Sequence, residues 1–233
     1  MLKQFFKMLS NQDLLTQALN DTHEMAEISF RLYELAVRQT FEHPQTALTP
    51  EDIEKVRKKD FLLNHFEKSI RKKVFEHIAI NDKEEQQLST AFILTTIVNN
   101  FERIGDYSKN ISEIAEIKRM LKDEEWNVRL KEYSDKIKEI FQDTLNAFKN
   151  ADYDLARKVI DVHFEIKSRI NEDLVVIATK EPPLTVNYAA YALFLRYSKR
   201  ISSHLMNIAT SITNPIDKIG YYVGDEGDDI DDE

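Results

Sequence analysis

Asn99-Asn100-Phe101-Glu102-Arg103-Ile104-Gly105-Asp106-Tyr107-Ser108-Lys109-Asn110-Ile111-Ser112-Glu113 reads as two faces of one helix. At about 100° per residue, Ile97, Phe101, Ile104, Ser108 and Ile111 fall within about 40° of one line. Asn99, Glu102, Asp106, Asn110 and Glu113 gather on the opposite side. The apolar seam belongs in a bundle core, which leaves the acids on an outward, exposed or partly exposed face. Gly105 is the only glycine in the first 219 residues. A glycine inside a helix costs roughly 0.5–1 kcal/mol relative to alanine. Its presence here marks a point where a backbone or a ligand must approach closely.

Outward from this stretch the whole chain has the same character. Four glycines and five prolines in 233 residues are too few for the tight turns of an all-β protein. The prolines fall in short clusters, and apolar spacing between them predicts six helices at about 11–41, 50–80, 83–121, 123–149, 153–179 and 185–212. Thr49-Pro50-Glu51-Asp52 carries an N-cap, a proline at the first helical position and acids in the first turn. Asn81-Asp82 caps the third helix, and Asn150-Ala151-Asp152 makes a corner. Helices near 30 residues long span about 45 Å. Short links between them make antiparallel neighbours. The expected fold is all-α, two tandem antiparallel three-helix bundles.

An internal echo divides six helices into three plus three. Arg103-Ile104 and Asn110-Ile111 on the third helix recur as Arg200-Ile201 and Asn207-Ile208 on the sixth, 97 residues later. His65-Phe66-Glu67 is echoed by His163-Phe164-Glu165. The expected organisation is an amphipathic segment over 1–10, a first bundle over 11–121, a second over 122–215, and a tail over 216–233 that is acidic from 225 and disordered from Gly224.

Several function classes drop out. No cysteine means no disulfide, zinc-thiolate site or iron–sulfur cluster. No apolar run of about 18 residues or signal-peptide core occurs, so the expected location is cytoplasmic. The net charge of −9 is mostly the tail, whose seven acids leave the body at −2; nucleic-acid binding has no support. No Glu-x-x-His pair, phosphate loop or nucleophile elbow is present, so no enzyme is expected. The six histidines are expected at surfaces or bundle edges. Trp126 and the tyrosines and phenylalanines at helical spacing are expected in the core.

The acid stripe is the chemistry-bearing feature. Glu102 and Asp106 are like charges four residues apart, which repel unless neutralised. Arg103 lies beside them, and a solvated polar face is one reading. A bound cation is the sharper one, with Asp60, Asn64 and Glu67 of the second helix on a facing stripe. Oxygen donors on neighbouring helices suit hard ions such as iron(III), manganese, magnesium or calcium.

Asn100–Glu113 resembles the signature helix of the PhoU family, whose pattern reads roughly E-R-I-G-D-x-x-x-N-I-x-E. The glycine, both acids, the asparagine and the final glutamate coincide, and the duplicated bundles extend the resemblance over about 11–215. The resemblance implies a regulator of phosphate uptake that couples a phosphate transporter, and a sensor kinase, to phosphate supply, peripheral to the membrane and dimeric. It implies metal ions, iron foremost, with manganese, magnesium, calcium or zinc as alternatives. Carried over, the ligands are Glu102 and Asp106, joined by Asp60, by Asn64 where a carboxylate is usual, and by Asn110. Glu67 and Glu113 form an outer set. In the second half Glu102 corresponds to Lys199, Gly105 to Ser202 and Asp106 to Ser203. Asp161 and Glu165 there keep the spacing without such partners, so metal is expected in the first repeat at most.

Two alternatives stand beside that reading. One is service to a sodium–phosphate cotransporter or another anion transporter; the other is a metal-dependent helical enzyme. Met1–Leu9 sets Leu2, Phe5, Phe6 and Leu9 against Lys3 and Lys7. That pattern suits a membrane surface or a transporter groove, and suits better an extension of the first helix.

Overall fold

The computed structural model describes residues 14–41, 48–80, 85–117, 123–179, 186–223 and 229–230. Six helices carry the fold: α1 Leu14–Phe41, α2 Pro50–Ile80, α3 Glu85–Ile117, α4 Glu124–Asn150, α5 Tyr153–Thr179 and α6 Val186–Thr213. The caps explain several of these ends. Thr49 Oγ1 accepts the Asp52 N–H at 3.2 Å while Asp52 Oδ2 accepts the Thr49 N–H at 3.2 Å, a reciprocal pair that satisfies two otherwise orphaned donors. Asp123 accepts from the Trp126 N–H to open α4. Ala151 closes that helix in the left-handed region (φ 48°), where glycine is usual. Asp152 then caps α5 through the Leu155 N–H at 3.0 Å. The Asn81-Asp82 cap and the 1–10 segment lie outside the described residues.

Helices α1, α2 and α3 pack on one another, as do α4, α5 and α6; α3 lies along α6, and α1 touches α4. Phe101 stacks on Phe141 with ring centres 6.5 Å apart, Phe30 meets Phe141 at 5.1 Å, and the Tyr33 hydroxyl donates to the Ser134 carbonyl at 3.0 Å. The two triplets therefore share one continuous apolar core. Ile97, Phe101, Ile104, Ser108 and Ile111 are all fully buried, as the wheel requires.

Three expectations need correction. His163 and His77 are buried, not peripheral: each lies on a core-facing stripe and meets a polar partner there, Ser202 and Gln87 respectively. Not every large aromatic is core: Phe61, Phe75 and Phe92 are 72%, 73% and 53% exposed. The tail is not wholly without structure. After a 3₁₀ turn at Ile216–Lys218, Tyr222–Val223 pairs antiparallel with Asp229–Ile230. Alternating backbone bonds, which charge repulsion along the tail does not abolish, hold that pair.

Candidate functional site

Gly105 of α3 packs directly against α2. A Cβ at that position would collide with Leu63 Cδ1 of α2 and would lie 3.8 Å from Leu32 Cδ2 of α1. The small residue thus admits side chains of two packed helices, not a ligand. Because α2 approaches so closely, the acids flanking Gly105 face those of α2 across a shallow crease. The Glu102 side chain is only 13% exposed and that of Asp106 36%. The stripe is a partly covered seam between two helices, less open than the wheel alone implies.

Charges in this seam are strongly coupled. Burial, then Asp106 and Glu67, with Asp60 adding, raise the Glu102 pKa above its ordinary value, and Arg103 opposes them. Arg103 donates from Nη1 to Asp106 Oδ2 at 3.3 Å and lies 3.7 Å from Glu102 through Nε. Lys109 reaches across to Asp60 Oδ2 at 3.2 Å. Burial works against charged Lys109, but Asp60, Asp106 and Glu113 outweigh it and raise its pKa. Asn64 donates from Nδ2 to the Asp60 carbonyl at 3.0 Å, and Glu67 pairs with Arg71 at 2.9 Å. Asn110 is half-buried on the same helix face, and Glu113 is exposed.

Among the described residues no three of His, Asp or Glu converge closely enough to make a ready metal cage. The donor chemistry nevertheless fits a hard cation. Asp60, Glu67, Glu102 and Asp106 are oxygen donors whose mutual repulsion survives Arg103 in the raised Glu102 pKa. Two resident cations, Lys109 and Arg103, already occupy part of that field. In the second half Asp161 and Glu165 are exposed on α5, and the structure does not bring them into a comparable seam.

Two features escaped the sequence reading. The first is a set of exposed apolar side chains on α2, Phe61, Leu62 and Phe75. Phe61 and Phe75 are 14 residues apart, four turns on one face, while Val56, Leu63, Ile70 and His77 run at seven-residue spacing into the core. Phenylalanines lying off the core stripe of that helix were the available signal. Phe61 and Leu62 share an open groove of about 910 Å³ with Asp60, Asn64 and His65. The second is a basic face on α5 and α6. Burial lowers the Lys167 pKa; burial together with Lys167, Arg196 and Arg200 lowers that of Lys199.

A family model described as PhoU domain matches this chain twice, over residues 22–115 and 130–212. The chain is 27% identical over 208 residues to the phosphate-specific transport system accessory protein PhoU homolog of Clostridium acetobutylicum, covering 82% of this chain and 90% of that one. It is 29% identical over 169 residues to PhoU homolog 1 of Thermotoga maritima, covering 68% and 70%. Its fold is similar to that of PhoU from Pseudomonas aeruginosa, with a TM-score of 0.76, 20% identity and coverage of 85% of this chain and 95% of that one. The phosphate transport system regulatory protein PhoU from Streptococcus pneumoniae superposes with a TM-score of 0.71 at 16% identity, covering 85% and 92%.

Proposed function

The chain belongs to the PhoU family, and on that premise we propose that it is a non-catalytic helical adaptor that regulates phosphate uptake by docking on a phosphate transporter. The observation that carries the docking step is the exposed Phe61–Leu62 pair beside the open groove on α2, with Phe75 also exposed four turns on along a basic face. Folding does not need those side chains exposed, since the other stripe of the same helix already fills the core. Aromatic groups standing beside charged ones are typical anchors of a protein interface. Among the described residues no helix is long and apolar enough to cross a membrane, so the transporter is met from outside the bilayer. The accessory role in phosphate transport that its relatives' names carry supports this assignment.

The seam beside these side chains is the proposed cation site. Asp60 of α2 and Glu102 and Asp106 of α3 would hold the ion, with the amide oxygens of Asn64 and Asn110 and the carboxylates of Glu67 and Glu113 around them. A hard cation held there would supply positive charge between α2 and α3. Lys109 and Arg103 already supply part of that charge. Location on the cytoplasmic side, dimerisation and contact with a sensor kinase follow from the family reading.

The test is phosphate uptake in cells deleted for this chain, with co-purification of transporter subunits on the tagged protein. Wild type should restore regulated uptake and carry phosphate-transporter subunits. Phe61→Ser/Phe75→Ser, whose sites are exposed and whose fold should survive, should lower co-purification about tenfold or more. Unaltered uptake in the deletion strain, or undiminished co-purification by the double variant, would overturn the proposal.

A further inference from the structure

We propose that the hollow where α1, α2 and α4 meet binds a condensed phosphate, a linear oligoanion such as pyrophosphate or triphosphate. The hollow encloses about 330 Å³, at the small end of ligand sites. Arg31 and Arg38 reach it from α1, Lys55 and Lys59 from α2 and Lys138 from α4, with Glu34 as the one acid in its lining. In a chain of net charge −9, that local excess of cations runs against the trend. Glu34 is already taken by Lys138 at 2.6 Å, and Lys55 is held by Glu51 at 3.0 Å and Asp52 at 3.7 Å. Arg31, Arg38 and Lys59 make no ion pair among the described residues. Three cations of two helices thus line one hollow without a counter-charge. Like charges gathered in this way attract a polyanion.

The walls are fixed by contacts that do not use these cations. The buried Tyr33 hydroxyl, one residue before Glu34, ties α1 to α4 through the Ser134 carbonyl at 3.0 Å. Gln39, one residue after Arg38, ties α1 to the start of α2 by donating from Nε2 to the Asp52 carbonyl at 3.2 Å. Packing of three helices therefore sets the charges in place before a ligand arrives, which lowers the cost of binding. Glu51 holds the Lys55 pKa above its ordinary value while Arg38 works against it, so these two cations already share one field. The lining also selects the ligand. Leu35 is its only apolar member, which leaves no slot for a nucleobase or for the hydrophobic anchor of a peptide. Guanidinium forks match phosphate oxygens in pairs, and lysines meet them as point charges. A single tetrahedral ion fills a small part of such a hollow, whereas two or three linked phosphates can meet cations from all three helices. A second hollow of about 270 Å³ shares Glu34, Arg38 and Lys138, which gives a longer chain room to continue. This inference is independent of the adaptor reading.

Calorimetric titration of the full chain with sodium tripolyphosphate, in buffer free of divalent ions, tests it. Sodium sulfate at matched ionic strength and a short oligoglutamate are the controls. The expected result is saturable binding of tripolyphosphate at least about tenfold tighter than of either control. Arg38→Gln/Lys59→Gln should weaken it about tenfold or more, the loss of two charge-assisted bonds. Glu34→Gln frees Lys138 and should tighten binding, a gain that misfolding does not produce. ATP distinguishes the source of the ligand: binding with the same loss in the double variant assigns the triphosphate to a nucleotide, and no binding assigns it to the free polyanion. Either result keeps the site. The Phe61→Ser/Phe75→Ser chain should bind tripolyphosphate as wild type does, which separates this proposal from the docking one. No saturable response, equal binding of sulfate or oligoglutamate, undiminished binding by Arg38→Gln/Lys59→Gln, or weaker binding by Glu34→Gln would each overturn it.

Discussion

The two halves of the chain share a frame and differ in what they hang on it. At the 97-residue offset, Ile104 corresponds to Ile201, Ser108 to Leu205 and Ile111 to Ile208, and all six are fully buried. The polar positions do not match: Glu102 stands opposite Lys199, Asp106 opposite Ser203, and Gly105 opposite Ser202. Burial constrains the seam, because an exchange there must keep volume and polarity. The partly exposed positions 102/199 and 106/203 carry no such constraint and diverge, and the buried pair Gly105/Ser202 differs with what each packs against. In the first half the stripe became an acid seam with a glycine that lets α2 close in. In the second it became a basic face with a serine that holds a histidine.

Removing Asp173, the buried acid among the described residues of the second half, should have the largest effect. Asp173 accepts Arg129 Nη1 at 2.5 Å and the buried Tyr133 hydroxyl at 2.8 Å. Asp173→Ala leaves the tyrosine unpartnered and is expected to cost about 3 kcal/mol in urea unfolding. Acids of the first half, which lie in a partly exposed seam, should tolerate loss better.

Protons should separate the halves next. The folded pKa of His163 is about 4, below its ordinary 6.5. Between those values the unfolded chain binds more protons, so stability is complete above about pH 6.5 and falls as the pH drops. For this residue the loss from pH 7 to 5 should be about 2 kcal/mol, and His163→Asn should remove that part of the slope. His204, lowered to about 4 by burial, Arg200 and Arg103, acts in the same sense. Glu102 has the opposite sign. Its raised pKa means that the folded state binds the proton more tightly, so acidification from above its folded pKa toward the ordinary 4.5 favours folding.

Gly105→Ala should give the smallest change. The added Cβ would force Leu63 aside, a packing cost of about 1–3 kcal/mol, while helix propensity returns about 1 kcal/mol. The expected net loss is about 1 kcal/mol by thermal or urea unfolding, accompanied by a weaker Asp60–Lys109 contact. An equal loss on Ser202→Ala would blur the distinction between the halves only if the His163 pKa stayed unmoved.

Much of the frame was legible because helix periodicity, caps and breakers are local signals. Thr49, Asp52, Ala151 and Asp152 act where the spacing placed them. The acid stripe was legible for the same reason. What could not be read was which side of a second helix would meet it. Lys109 reaches Asp60 only because Leu63 fits over Gly105, a fact of packing between residues some 40 positions apart. His163 was misplaced because a lone histidine on an apolar stripe gives no hint of the serine that will face it. Phe61 and Phe75 were assigned to the core by type, whereas the heptad of Val56, Leu63, Ile70 and His77 had already filled that side of α2.

The most direct measurement is metal stoichiometry, by plasma mass spectrometry, on protein equilibrated with Fe or Mn and then freed of loose ions. Wild type should retain metal, Glu102→Gln/Asp106→Asn should retain almost none, and Lys167→Gln/Lys199→Gln should match wild type. Equal metal on the acid variant and wild type would contradict the first-half cation site.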